Sequence, residues 1–500
     1  FCFWYTLLYM QFLIDLMLIL IYAGAVLLIF AWMWRFWMMY VGQKHMNSLD
    51  WVMLEIKLPR EVMKSPLAME TALAMLMQTG GLGSRYKRLF LGNLPAWTSL
   101  EIASLEGIIH FYIRAQKKYR GLFEANLYAQ YPGIEISEAD DYTKLIRYHH
   151  LSPDVSMWGA TYPLGEKRVI GVNSKNKDIE MNADYLPLKT YVDYGLDKDP
   201  KEEFKVDPIT PLLEFMGSMG KGEYAWYQVI VQDESVFNDK KMPKMYVHPE
   251  THEHVSLSDL ATLRKKFIRK TKKLKKGDLA YDQYGHPVQK TVRASDGTIS
   301  YEPLTYGDER EIALRESELT VEEKNEIEAI NMKLSKPLVR AIIRLIYVAK
   351  SENFKTSQIQ NILSIMKPFA GWNKFGLAPS DPYEFPWENF RKRRVPWRTE
   401  EKFEAFVERE GFHPHVGSRK SLDKWEDNIF WSFPMKTRKK WRMFYEAIFH
   451  PFDHPEADEV AVLNLEELAT LWHFPGSVAA TPTLPRIDSA KGVAPVNLPQ

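Results

Sequence analysis

From Leu16 to Trp34 the chain runs nineteen residues without a charge, LMLILIYAGAVLLIFAWMW. Rising 1.5 Å per residue as a helix, such a run spans a hydrocarbon core of roughly 30 Å. Asp15 is the one charge before Arg35; it fits a partner contact within the span or, more simply, a position a turn outside the core. A signal peptide is the rival reading. It would carry only about 7–15 apolar residues, a basic flank before them and a small-x-small cleavage site after them. The flank here is WMWRFWMMY, bulky and aromatic, which suits a membrane–water interface. A retained transmembrane helix is therefore expected, with residues 1–44 as the membrane anchor. Arg35, Lys44, Lys57 and Arg60 follow the run and no basic residue precedes it. The positive-inside rule then predicts a single-pass protein of the cell inner membrane with its bulk in the cytoplasm. The first residue is Phe1 rather than Met, so further residues upstream are expected, and another helix there would reverse that orientation.

Beyond the anchor the hydrophobic period changes. Val52, Leu54, Ile56 and Leu58 alternate with Glu55 and Lys57, the pattern of a half-buried strand stopped by Pro59. Ser65-Pro66 supplies an N-cap and an N1 proline for a helix that runs to Gly80-Gly81. Strands are expected at Ser99–Ser104 and Ile108–Arg114, a helix at Lys117–Ala129 and a short strand at Ile134–Ser137. The order β-α-β-β-α-β is the split βαβ, or ferredoxin-like, arrangement, placed in a first domain over 45–150.

A second α+β domain over 151–380 repeats that order. Its strands are expected at Leu188–Tyr194, Tyr224–Gln232 and Val339–Ala349, and its helices at Asp207–Met219 and Lys355–Met366. At an offset of 235, Tyr112 matches Tyr347, Ile113 matches Val348, Tyr119 matches Phe354 and Leu127 matches Ile362. These four pairs fit an internal duplication and fit chance equally well. A charged insertion interrupts this domain from about 233 to 326, and it is expected to be solvated or weakly helical. A basic and aromatic region with a closing strand and helix occupies 381–476. The strand is expected at Glu459–Leu463 and the helix after an Asn464 cap. A Pro-rich linker tail occupies 477–500.

Chemistry is sparse. Cys2 is the sole cysteine, which excludes an intrachain disulfide framework and any cysteine-based metal centre. The 65 basic and 64 acidic residues balance, so no global field favours nucleic acid. Gly80-Gly-Leu-Gly-Ser and Gly217-Ser-Met-Gly-Lys-Gly lack the Lys-Ser/Thr of a P-loop, and neither G-x-S-x-G nor H-E-x-x-H occurs. His248, His252 and His254 approach metal spacing, but their Pro- and Thr-rich context favours exposed histidines. His149-His150 and the pair His413/His415 are weaker signals. No catalytic residue, cofactor or metal site is assigned.

Three basic runs remain. They carry Lys265, Lys266, Arg269, Lys270, Lys272 and Lys273; Arg391, Arg393 and Arg394; and Lys439, Lys440 and Arg442. Trp387, Trp397 and Trp441 stand beside the last two runs, available to stack on bases. The runs fit a solvated face, contacts to anionic lipid, or contacts to nucleic-acid phosphates.

Several segments resemble the region between membrane anchor and motor in bacterial type IV secretion coupling-type ATPases, the pumps of conjugative DNA transfer. They are Leu54-Glu55-Ile56 with Pro59, Met69-Glu70, Ser99–Ile102, Phe111–Arg114, Glu124 with Tyr128–Pro132, Lys189–Tyr194, and Asp207-Pro208 with Pro211–Phe215. The most specific is Leu463–Gly476, LNLEELATLWHFPG, followed by Thr481-Pro-Thr-Leu-Pro-Arg486. In that family this run leads into the nucleotide-binding domain. Here no P-loop precedes Gln500, so the resemblance implies either a fragment or a stand-alone subunit beside a separate motor. It implies a non-catalytic module of a DNA or protein translocation machine, partnered by a P-loop ATPase and forming a homo-oligomer. It assigns no chemical role to Glu55, Glu70, Glu101, Glu124 or Glu214. The alternative is a membrane-tethered nucleic-acid-binding protein. Leu465, Leu468 and Trp472 form an apolar stripe that fits either motor docking or the chain's own core.

Overall fold

The structure is a computed structural model. It describes residues 2–59, 64–76, 85–92, 97–152, 154–172, 178–197, 206–233, 246–247, 254–270, 289–293, 299–303, 319–379, 391–412, 460–476 and 484–487. Helix α1 (Cys2–Asn47) is followed by β1 (Trp51–Pro59), α2 (Pro66–Leu76), α3 (Arg85–Leu91), β2 (Trp97–Leu105), β3 (Ile108–Gln116), α4 (Arg120–Gln130) and β4 (Glu135–Glu138). Next come β5 (Val155–Thr161), the hairpin of β6 (Lys167–Val172) and β7 (Asp178–Asn182), α5 (Thr210–Gly217) and β8 (Glu223–Asp233). The region of the charged insertion contributes β9 (Tyr246–Val247), β10 (His254–Val255), α6 (Leu257–Lys270), β11 (Gln289–Arg293), β12 (Ile299–Pro303) and α7 (Val321–Ser335). The chain continues with β13 (Leu338–Lys350), α8 (Ser357–Ser364), β14 (Ala378–Pro379), α9 (Arg391–Val407), β15 (Ala461–Asn464), α10 (Leu465–Leu471) and β16 (Arg486–Ile487).

Within α1, the window Met10–Leu27 has a mean hydropathy of 2.1, and none of it is buried by the rest of the chain. It is long and apolar enough to cross a membrane, a property shared with signal sequences. Only Ser48, Leu49 and Asp50 separate α1 from β1.

The fold is α+β, built on one ten-stranded sheet. Its order is β14-β5-β13-β8-β2-β3-β1-β16, with β4 also on β1 and β15 also on β13. All these ladders are antiparallel except β1 with β16. The middle seam joins β2 to β8, from Trp97 opposite Gln232 to Leu105 opposite Tyr224. Read outward from that seam, each half places an antiparallel partner second, β3 or β13, and its opening strand third, β1 or β5. The two expected domains therefore share one sheet.

Alternation along the strands sorts side chains to two faces. Val52, Leu54, Ile56 and Leu58 of β1 join Phe111, Ile113, Ile343 and Leu345 in the main core. Helices α2, α4, α5, α8 and α10 cover this face. Met69, Ala72, Leu73 and Leu76 seat α2 at i, i+3, i+4 and i+7. Met53, Tyr112, Trp226 and Ile346 face the other way, against Phe403 and Phe406 at the end of α9.

Three expectations need correction. Leu188–Tyr194 is not a strand. Its backbone donors go to Glu467 Oε1, Phe369 O, Asp193 Oδ2 and Thr470 Oγ1 rather than to a ladder, and Leu188 and Tyr191 are buried as a loop. The opening strand of the second half is β5, in which Gly159 leaves room for Ile346; a Cβ there would stand 2.6 Å from Ile346 Cγ2. Second, an offset of 235 relates the buried Phe123 and Leu127 of α4 to Gln358 and Ile362 of α8, but it fails in the strands. Tyr112 lies on the α9 face and Tyr347 on the helical face. Third, the insertion is not simply solvated. Leu257, Leu260 and Ala261 of α6 pack with Ile170, Ile179 and Ile330 in a core of their own.

Candidate functional site

Most side chains of β15 and α10 are buried in the main core. Asn464 caps α10 by accepting the Glu467 N–H at 2.8 Å, and Glu467 returns the contact to the Asn464 N–H at 2.7 Å. This capping box follows from the Asn-x-x-Glu spacing. Glu467 is also bound to Lys333 Nζ at 3.1 Å, both side chains being fully buried, and Lys333 donates to Leu186 O. On the same helix Glu466 meets Lys336, which reaches Glu70 at 2.7 Å, and Glu70 accepts from the Tyr191 hydroxyl at 2.6 Å. One short helix thus ties together α2, α7 and the 188–194 loop.

Leu465, Leu468 and Trp472 sit inside the chain's own core. Trp472 packs edge-on against Phe111 and Phe474 and points Nε1 at Glu101 O, 3.4 Å away. Their stripe faces the sheet, so it presents no docking surface; the closing strand and helix complete the fold instead. His473 follows, fully enclosed. Its Nδ1 lies 2.9 Å from Ala469 O and its Nε2 3.1 Å from Asp207 Oδ2. Both neighbours are acceptors, an arrangement that favours the doubly protonated ring. Burial alone would lower its pKa, but the Asp207 charge outweighs that and raises it; Asp207 is held below the usual carboxylate range by the same pair, against its own burial.

On the opposite face, Arg409 and Glu101 form a second buried charge pair. Arg409 donates Nε and Nη2 to the two Glu101 oxygens at 3.0 and 3.1 Å, and Nη1 and Nη2 to Asp141 at 2.5 and 3.0 Å. Tyr142, Ser99 and Gln228 complete the shell around Glu101. Burial opposes the charge on Glu101, yet the guanidinium holds its pKa below the ordinary range. Arg114 lies nearby over Trp51, and burial, aided by the Arg409 charge, pulls it down to about 10. Every oxygen of Glu101 has a donor, so this cluster is a structural clamp.

The basic candidates fall on separate supports. Lys265, Lys266, Arg269 and Lys270 belong to α6, which packs on β6 and α7; Lys265 donates to Asn331, and Lys266 is exposed. Arg391, Arg393 and Arg394 open α9, which packs on β5. Lys272, Lys273, Lys439, Lys440 and Arg442 lie outside the described residues, as do Trp387, Trp441, His248 and His252. Arg264, in the same run, is engaged internally with Glu326 and Val169 O.

One cluster was only half visible in the linear order. His149 and His150, in the loop before β5, meet Glu400 of α9 across 250 residues. His150 Nδ1 contacts Glu400 Oε2, and His149 Nε2 lies 3.6 Å from Oε1. Only His149-His150 was visible in the sequence; Glu400 stands amid arginines and lysines with no pattern to mark it.

No family model, curated protein or solved structure matches the chain.

Proposed function

We propose that the chain is a non-catalytic, single-pass membrane module of a type IV secretion-like translocation machine. It anchors and assembles a P-loop motor supplied in cis or in trans, as a homo-oligomer at the inner membrane with its bulk in the cytoplasm. The observation that carries this reading is α1: its apolar window is wholly uncovered by the chain, and three residues join it to the first strand of the sheet. The resemblance of Leu463–Gly476 to the segment before the motor in secretion ATPases supplies the machine. The position of β16 is consistent with it. Arg486 and Ile487 pair with Leu58 and Pro59, the end of β1 opposite the one joined to α1.

Both halves are read as ferredoxin-like units sharing an edge. The order β4-β1-β3-β2 with helices after β1 and β3 supports this for the first half, and β14-β5-β13-β8 with α5 and α8 supports it for the second.

Carbonate extraction of membranes and protease treatment of spheroplasts test the anchor. Release into the soluble fraction, or cleavage of the C-terminal part from outside, overturns it. The purified chain is expected to hydrolyse no ATP, and co-purification with a P-loop ATPase is the positive result. Tight DNA binding by the chain alone, with a log K slope of several units on log salt, favours the nucleic-acid reading instead.

A further inference from the structure

We propose that His149, His150 and Glu400 form a site for a divalent transition-metal ion of the zinc class, which staples α9 to the loop before β5. One ligand atom from each residue lies within 4.8 Å of the others. Zinc bonds of about 2.0–2.2 Å in a tetrahedron place ligand atoms roughly 3.3 Å apart. The spread therefore has to close by at most about 1.5 Å, while the His150 Nδ1–Glu400 Oε2 hydrogen bond, closer than two ligands of one ion stand, has to open to admit it.

The donor set is the strongest argument. Two imidazoles and one carboxylate are the three-ligand set of an open zinc site, whereas magnesium and calcium take oxygen ligands. Glu400 is anchored on a helix with its side chain only 7% exposed, and both its oxygens face imidazole nitrogens. His149 is 55% exposed, which leaves the fourth position to water. The two rings already lie stacked, with centroids 4.7 Å apart.

Proton accounting fixes what loading must change. His149 Nδ1 accepts the Leu151 N–H at 3.2 Å, so the neutral ring carries its proton on Nε2, toward Glu400. His150 directs Nδ1 at the same carboxylate. When the ion takes both nitrogens, each neutral ring keeps its one proton on the other nitrogen. Leu151 then loses its acceptor.

The competing account is a plain His150–Glu400 ion pair that needs no metal. The two are separated with the full chain in detergent, free of any histidine tag, stripped by EDTA and then titrated with Co²⁺ or Zn²⁺. The expected result is one ion per chain, visible Co²⁺ bands of tetrahedral intensity, and a Tm that rises with Zn²⁺ and falls back with EDTA. His149→Ala removes an exposed ring and should keep the apo Tm, yet weaken binding at least about tenfold, since even outer-shell partners are worth ~10–100-fold. Glu400→Gln, which also removes the buried partner of His150, should weaken binding as well. Faster hydrogen exchange at Leu151 on loading is the local signature. No uptake by the parent chain, or unchanged uptake by His149→Ala, overturns the site.

Discussion

Arg409 stands where helices usually place glycine. It follows α9 with φ +53°, and the Glu410 N–H reaches Ala405 O while the Arg409 N–H reaches Phe406 O. That is a Schellman stop, whose left-handed position costs a side-chain-bearing residue roughly 1–2 kcal/mol. The guanidinium offsets the strain by neutralising Glu101 and Asp141. Arg409→Met should destabilise the fold by about 3–5 kcal/mol, because it leaves Glu101 buried and uncompensated. Arg409→Gly relieves the backbone and should recover about 1 kcal/mol of that loss in urea unfolding. Equal midpoints for the two variants would remove the strain argument. The His473–Asp207 pair makes a pH prediction. The raised histidine pKa contributes stability that is complete below its ordinary 6.5 and is lost as pH rises through the folded value. The depressed aspartate contributes above its ordinary 3.8 and fades as pH falls through its folded value. The pair is thus fully expressed between about pH 4 and 6.5. Asp207→Asn should flatten this component of stability, measured as unfolding midpoint against pH; an unchanged profile would show that the pair does not titrate on folding.

At the scale of the element, α10 acts as a keystone despite having two turns. Asn464→Ala removes its cap and should cost about 1 kcal/mol. Trp472→Ala empties a buried site between Phe111 and Phe474 and should cost about 3–5 kcal/mol, with a large drop in Tm. A Trp472→Ala chain as stable as the parent would contradict the packing described. The β2–β3 hairpin is equally specific. Glu106 and Gly107 have φ of +53° and +93°, the two positive values of a type I′ turn, and a Cβ on Gly107 would stand 2.6 Å from Met219 O. Gly107→Val combines both penalties and should reduce the yield of folded chain, whereas a change at the exposed Ile108 should be nearly silent.

For the whole molecule, the β2–β8 seam is what makes two halves one body. Residues 45–150 alone would expose β2, whose side chains from Trp97 to Ser104 are buried on both faces. An open apolar edge templates further strands. That fragment is expected to self-associate, visible as a concentration-dependent mass in light scattering, while residues 45–500 together do not associate through this edge. A monodisperse, monomeric 45–150 would mean the seam is dispensable.

Local pattern alone determined the apolar helix, β1, α2, the β2–β3 hairpin, α4 and the Asn464 cap, because each depends on neighbours within a few residues. The succession of these elements in the first half was legible too, except for α3, Arg85–Leu91, which local pattern did not mark. Tertiary structure decided the rest. Leu188–Tyr194 alternates like a strand, yet Glu467 and Thr470, some 280 positions away, take its backbone donors. Strand β5 carries little alternation and is a strand because β13 supplies its ladder and accommodates Gly159. Helix α9 is basic and contains Pro396, so its period is obscured; Phe403 and Phe406 hold it against the sheet. The meeting of Glu101 with Arg409, and of His149 and His150 with Glu400, spans hundreds of residues. Nothing in local spacing encodes such pairs, because charges separated by that much chain are brought together only when the sheet is assembled.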